Sequence, residues 1–207
     1  MDTSPPEPKP TPIDEVQADR LSRFLAMVLR HRAHQFDLPV DDEGFVPVGE
    51  LLDVIDEQSS LDWVEREHLD ILTRRGDRQR FEIRDDGIRA TYGHSFHRQI
   101  RYDAVEPPAH LFVPIPKAQV PSVKAQGLRP VGRQYVHLSE ERSEAEEVGR
   151  RHDDDSKIVT VRAQEAASAG VSFFRPTTGL YLTGHLPSQY LDLESSFGRK
   201  PRKGRRR

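Results

Sequence analysis

Arg80-Phe81-Glu82-Ile83-Arg84-Asp85-Asp86-Gly87-Ile88-Arg89-Ala90-Thr91-Tyr92, residues 80–92, holds two short extended runs, Arg80–Ile83 and Ile88–Tyr92. They flank the turn signal Asp85-Asp86-Gly87, so the stretch predicts a β-hairpin. Upstream, Leu21, Phe24, Leu25, Val28 and Leu29 recur at i, i+3, i+4, i+7 and i+8. That spacing is one apolar helical stripe, with Asp19 as its expected N-cap. A second amphipathic segment follows Pro47 through Val48, Leu51, Leu52 and Ile55. A third is expected to open on a capping box at Ser59-Ser60-Leu61-Asp62 and to use Leu61, Val64, Leu69 and Leu72. Three helices followed by a hairpin predict a winged helix over residues 20–104.

Beyond the hairpin, Glu106-Pro107-Pro108 reads as a linker, and the pattern changes. Strands are expected at Leu111–Val113, Tyr135–Leu138, Ile158–Arg162 and Leu180–Thr183. Helices are expected at Pro121–Gln126, Glu140–Arg151 and Gln164–Ala169, with Gly127 and Gly170 closing two of them. Residues 109–195 are thus a second small lobe, a mixed sheet with helices, and the fold class is α+β. Residues 1–19 hold five prolines and five acids with few large apolar groups and read as a disordered arm. Residues 196–207 read as a disordered basic tail.

Composition narrows the function classes. The 207 residues are 35% hydrophobic and 31% charged, enough for a modest core. No apolar run approaches the roughly 18 residues of a membrane span. The beginning MDTSPPEPKP lacks the basic and apolar regions of a secretory signal, which points to a cytoplasmic address. There is no cysteine, which excludes disulfides, thiolate metal sites and a cysteine nucleophile. The net charge is −3, but seven of the 31 Lys and Arg lie in residues 199–207, so the remainder stands near −10. Contact with a nucleic acid must therefore come from local basic clusters or from the tail.

Four clusters carry groups suited to chemistry. Leu29-Arg30-His31 ends the first helix, where the macrodipole favours cations for structural reasons alone but where an anion site would also be pre-placed. Arg74, Arg75, Arg78 and Arg80 form a basic cluster running into Phe81. Arg80, at the start of a strand, is expected to be held more rigidly than the others, and its planar fork suits a phosphate. In Arg133-Gln134-Tyr135-Val136-His137-Leu138-Ser139, alternation puts Tyr135 and His137 on one face and Val136 and Leu138 on the other. Ser139 is equally explained as an N-cap. Ile88-Arg89-Ala90 with Gly93-His94-Ser95 is a hairpin exit rich in hydrogen-bonding groups.

Taken in order, these clusters form a series: Leu29-Arg30-His31, Asp42-Glu43-Gly44-Phe45, Gln79-Arg80-Phe81, Ile88-Arg89-Ala90 with Gly93-His94-Ser95, Gly127-Leu128, Arg133 through Ser139, and Val148-Gly149-Arg150-Arg151-His152. Phe173-Phe174, Gly179-Leu180-Tyr181-Leu182-Thr183, Leu186-Pro187 and Tyr190-Leu191 complete it. The series resembles the NAD-dependent RNA 2'-phosphotransferase family, and the resemblance spans residues 21–193.

The resemblance implies a winged-helix lobe for RNA joined to a lobe of ADP-ribosyltransferase type for NAD. It implies metal-free transfer of an RNA 2'-phosphate, as in tRNA splicing, to NAD through an ADP-ribosylated RNA. Nicotinamide and ADP-ribose cyclic phosphate are the implied products, and a 2'-phosphorylated, tRNA-like RNA the implied partner of a monomeric protein. The family's essential Arg-His-Arg-Arg group falls on Arg30, His31, Arg80 and Arg133. Three guanidiniums from separate segments give always-protonated donors for a dianionic phosphate. His31 is suited to exchange a proton near neutral pH.

The resemblance puts the nucleotide at Phe112, His137, Ser139 and Gly179. One stretch departs from the family: its Tyr-His-Gly-Thr reads Phe112-Val113-Pro114-Ile115 here. Losing two or three hydrogen bonds, about 2–4 kcal/mol in total, is expected to weaken NAD roughly 30- to 1,000-fold. Three readings stand open from the sequence. They are a phosphotransferase with altered NAD contacts, a non-catalytic RNA or phosphate binder, and an ADP-ribosyltransferase acting on another phosphorylated acceptor.

Overall fold

The computed structural model describes residues 12–76, 79–153 and 155–193. The expected basic tail, most of the Pro-rich arm, and Arg78 lie outside them. The chain divides into two compact units, residues 1–101 and 102–207.

In the first unit, α1 (Glu15–Met27) starts six residues before the expected stripe. The cap is Asp14, not Asp19: its carboxylate accepts from Gln17 N at 2.7 Å, and the Gln17 side chain accepts from Asp14 N at 3.1 Å. This reciprocal box satisfies two otherwise orphaned donors. Leu21, Leu25, Val28 and Leu29 are fully buried, as the stripe predicts. Each such side chain contributes about 1.5–3 kcal/mol by leaving water. The helix runs on through one wider π turn, Val28–Arg32, and a 3-10 turn, Ala33–Phe36. Asp37, at φ 53°, then ends it in the left-handed region.

β1 (Val46–Pro47) leads into α2 (Val48–Asp56), as Pro47 foretold. α3 (Arg66–Thr73) begins later than the Ser59-Ser60 signal. Residues around Leu61 form turns instead, with Leu61 N on Gln58 O at 2.7 Å and Trp63 Nε1 on Ser60 O at 3.3 Å. The cap at Glu65 uses His68, whose Nδ1 accepts from Glu65 N at 2.9 Å. The hairpin is present as β2 (Phe81–Arg84) and β3 (Gly87–Ala90), turned at Asp85 with φ 54°. The order β1-β3-β2 is antiparallel. Phe81, Ile88 and Ala90 close a core against the α1 stripe.

The second unit carries a six-stranded sheet. In chain order its elements are β4 (Ala104–Val105), β5 (His110–Ile115), α4 (Val120–Gln126), β6 (Val136–Ser139), α5 (Arg142–His152), β7 (Lys157–Arg162), α6 (Ala163–Ser168), β8 (Phe173–Thr177) and β9 (Leu180–Thr183). The strand order is β4-β8-β9-β6-β5-β7. A mixed sheet was expected, but every pairing is antiparallel. β4 pairs with β8, so the residues just before the proline linker belong to this sheet. Ser139 ends β6 and is not an N-cap, since α5 starts at Arg142 behind Glu141.

The sheet has one weak seam. β5 pairs with β7 along its whole length, from His110 opposite Arg162 to Ile115 opposite Lys157. On its other side β5 meets β6 at a single registered pair, Phe112 opposite Ser139. Leu111, Val113, Ile115, Val136 and Leu138 point into one core. By alternation, Phe112, Pro114, His137 and Ser139 occupy the other face.

Candidate active site

The hairpin exit, residues 91–95, contacts three of the four positions that the resemblance singles out. Thr91 N donates to Arg80 O at 3.0 Å, and Thr91 Oγ1 donates to Gln79 O at 2.8 Å. The guanidinium carbon of Arg30 lies over the Tyr92 ring, 4.7 Å from its centroid. Ser95 N donates to Arg30 O at 2.9 Å, capping a carbonyl at the helix end. Ser95 Oγ sits 2.7 Å from His31 Nδ1. One segment thus fixes the backbone beside Arg80, the plane of Arg30 and the ring of His31.

Each contact has a chemical consequence. Stacking on Tyr92 fixes the orientation of the Arg30 fork, which decides how it meets a planar or tetrahedral anion. With Ser95 Oγ accepting from Nδ1–H, Nε2 of His31 carries the lone pair of a general base. As imidazolium, His31 donates from both nitrogens. Arg80 is exposed and precedes β2 by one residue, so the expectation that it begins the strand is corrected. Its backbone is nevertheless held by Thr91. Its side chain lines a cleft of about 350 Å³ with Ser22, Arg75 and Gly76, where Arg75 is already paired with Glu15 at 2.8 Å. His31 and Ser95 line a different cleft, of about 440 Å³.

Arg84 and Arg89 serve structure. Arg89 bonds Glu82 at 2.6 Å and Glu43 O at 2.9 Å and lies over Phe45, with Arg84 on the same ring. This ties the loop at residues 41–45 to the hairpin. The hydrogen bond to Glu43 raises the pKa of Arg84, so it stays charged throughout. Arg133 belongs to the second unit, exposed in the loop before β6 and next to Gly132, whose φ of 64° the turn requires.

In that unit the four nucleotide-side positions are neighbours. Phe112 and Ser139 are register partners at the seam, and His137 is two residues along the same face. Gly179, at φ 76°, forms the turn before Leu180, which is the partner of Ser139. Its carbonyl accepts from Glu140 N at 2.9 Å. His137 Nδ1 is 3.1 Å from Tyr135 O, which orients its ring. Tyr135 packs edge to face against Tyr102 and Phe174, which are tilted against each other, with centroids 5.4–6.1 Å apart. Sequence reasoning missed Tyr92, Thr91 and Tyr102. A lone aromatic or threonine just outside a strand gave no signal of its own.

The family model described as RNA 2'-phosphotransferase, Tpt1 / KptA family matches residues 16–185. The chain belongs to that family. It is 35% identical to the probable RNA 2'-phosphotransferase of Acetivibrio thermocellus over 179 residues, 86% of this chain and 98% of the relative. With the protein of the same description from Burkholderia lata, identity is 37% over 177 residues, 84% of this chain and 90% of the relative. For Pyrococcus horikoshii it is 30% over 168 residues, 81% and 94%.

Against that RNA 2'-phosphotransferase background, the departure at residues 112–115 has a physical form. Val113 and Ile115, at 6% and 1% exposure, are built into the second unit's core. Pro114 lies against Gly149 of α5, where an added Cβ would come within 3.2 Å of the proline. Val113 and Ile115 offer no imidazole or hydroxyl and Pro114 no N–H, so these positions do not fit the polar contacts to NAD that the resemblance implies. His110 does not replace it, being exposed at the far end of β5 opposite Arg162. Among the described residues no group of His, Asp and Glu is arranged to hold a metal ion. No described helix is long and apolar enough to cross a membrane.

Proposed function

We propose that this chain removes a 2'-phosphate from RNA, with NAD as a weakly held acceptor. The observation that carries the reading is the ordering of Arg30, His31 and Arg80 by residues 91–95, in a chain of this family. A phosphate monoester is nearly dianionic, and moving it requires that charge to be held while it redistributes. Arg30 and Arg80 supply always-protonated forks, the Arg30 one oriented by Tyr92. His31 gives or takes the proton of a ribose hydroxyl at Nε2, with Ser95 holding its ring.

The first unit, helices followed by a hairpin, is read as a winged helix handling RNA. The second is read as an ADP-ribosyltransferase-type lobe, with the nucleotide over Phe112, His137, Ser139 and Gly179. With NAD bound, its nicotinamide-bearing ribose carbon would take the 2'-phosphate oxygen as nicotinamide leaves, and a hydroxyl of that ribose would then attack the phosphorus, releasing 2'-hydroxyl RNA and ADP-ribose cyclic phosphate. With residues 113–115 given over to packing, NAD is gripped by fewer hydrogen bonds, and its KM is high. A tRNA-like splicing product is the substrate we assign, and the cytoplasm its place.

The test is to incubate the chain with 2'-phosphorylated RNA, with and without NAD. Loss of the phosphate together with ADP-ribose cyclic phosphate is expected only with NAD. No turnover at millimolar NAD sinks the reading. The buried Val113 and Ile115 favour one alternative, an RNA or phosphate binder without catalysis. It predicts salt-sensitive RNA binding with no NAD-dependent product. A stable ADP-ribosyl adduct on a phosphorylated end would instead identify transfer to another acceptor.

A further inference from the structure

The cleft beside His31 contains groups that the phosphate chemistry does not use. It is lined by Phe96, His34 and His97, by Ala33 and the buried Leu38, and by His31 and Ser95. Phe96 is propped edge-on by buried His94, with ring centroids 5.4 Å apart and planes at 68°. The neighbouring Arg98 is bonded to Val40 O and lies 3.6 Å from Asp42, which fixes the segment that carries Phe96 and His97. Among the described residues the lining holds three imidazoles, one guanidinium and no carboxylate.

Aromatic and imidazole rings beside apolar side chains, with a guanidinium in the same lining, match the chemistry of a nucleotide. A base presents a π face and its backbone an anion. A phosphate held at His31 sits on a ribose, and bases of that nucleotide and its neighbours lie within a few ångströms of it. We propose that Phe96, His34 and His97 form a nucleobase-stacking subsite, which receives an unpaired base flanking the 2'-phosphate. This rests on the reading of the substrate as 2'-phosphorylated RNA. It adds that the RNA is gripped single-stranded at that point, with little preference among bases because stacking alone does not read their edges.

The experiment measures affinity by fluorescence anisotropy, without NAD, for a labelled trinucleotide carrying an internal 2'-phosphate. An abasic residue is placed in turn at the phosphorylated nucleotide and at each neighbour. One position is expected to weaken binding about 5- to 150-fold in the unaltered chain. At that position Phe96→Ala should add less than about twofold, because the stacking partner is already absent, and the same holds for exposed His97→Ala should Phe96→Ala fail to fold. Equal affinity for all three abasic forms overturns the subsite, and so do penalties that multiply with both variants. The result is separable from the parent reading. Stacking without turnover at millimolar NAD leaves the subsite and removes the enzyme, whereas turnover without stacking does the reverse. RNA that does not bind at all overturns both.

Discussion

The two units treat their reactive side chains in opposite ways. In the first, Thr91 holds the backbone carbonyl of Arg80, Tyr92 lies against the Arg30 guanidinium and Ser95 meets the His31 ring. In the second, residues 113–115, where the resemblance implies polar contacts, serve packing, with Val113 and Ile115 in the core and Pro114 against Gly149. A preorganised charged site persists only with its supporting contacts, since an imidazole or guanidinium a fraction of an ångström astray loses most of its effect. A binding strand has a lower requirement. It stays folded when its donors are replaced by apolar groups, and only the ligand registers the loss. The phosphate end is therefore expected to be intolerant of change and the nucleotide end improvable.

The largest effect should come from breaking the first region. Arg30→Ala or Arg80→Ala is expected to lower kcat/KM for 2'-phosphorylated RNA by on the order of 10³-fold, with thermal stability little changed for exposed Arg80. Steady-state kinetics and a melting curve on the same sample check this. A fall below tenfold would mean that phosphate charge is held elsewhere, and the contrast between the units would dissolve.

The second effect improves the other region. Pro114→Gly, on the face that Phe112, His137 and Ser139 share, restores a backbone N–H and should lower the KM for NAD by up to about tenfold, one hydrogen bond being regained. The same change should cost about 0.5–1 kcal/mol of stability, because glycine leaves the unfolded strand more conformational freedom. Titration with NAD and urea unfolding separate the two. An unchanged KM would show that the nucleotide never uses this strand.

How much of this was legible in the sequence depends on how local the cause is. The α1 stripe and the Asp85–Gly87 turn were readable because periodicity and turn chemistry act within a few residues. The start of α1 was not, because the Asp14–Gln17 box lies in a proline-rich stretch that reads as disordered. Ser59-Ser60 misled because the turns around Leu61 satisfied the same donors another way. A mixed sheet was expected where all neighbours run antiparallel, since strand partners are chosen by tertiary packing rather than by sequence order. In the site, Arg30-His31 and Gly93-His94-Ser95 each stood out as strings. The bond that makes them one device joins residues 64 positions apart and leaves no trace in either string.

That bond gives the third prediction. Ser95→Ala should leave RNA affinity nearly intact but lower kcat about tenfold and move the acidic limb of the pH–kcat profile, because Nδ1 loses its partner and the ring its orientation. Ser95→Thr, which keeps the hydroxyl, should restore most of the rate. If alanine and threonine behave alike, Ser95 is merely a cap on Arg30 O.

The smallest effect tests whether Pro114 is a packing element in its own right. Gly149 lies inside α5, where alanine is normally favoured over glycine by about 0.5–1 kcal/mol. A Cβ there would meet the proline Cβ at 3.2 Å, tighter than comfortable contact. The two tendencies oppose each other, so Gly149→Ala alone should change stability by less than about 1 kcal/mol, and in the destabilising direction. With Pro114→Gly in place the obstruction is gone and the helix preference stands alone, so the same substitution should become stabilising by about 0.5–1 kcal/mol. Urea unfolding of the four proteins in this cycle measures the difference. A reversal of sign ties the proline to α5 as a packing element. Equal effects in both backgrounds would mean that the strand yields to the helix, and that Pro114 is incidental to how β5 packs on it.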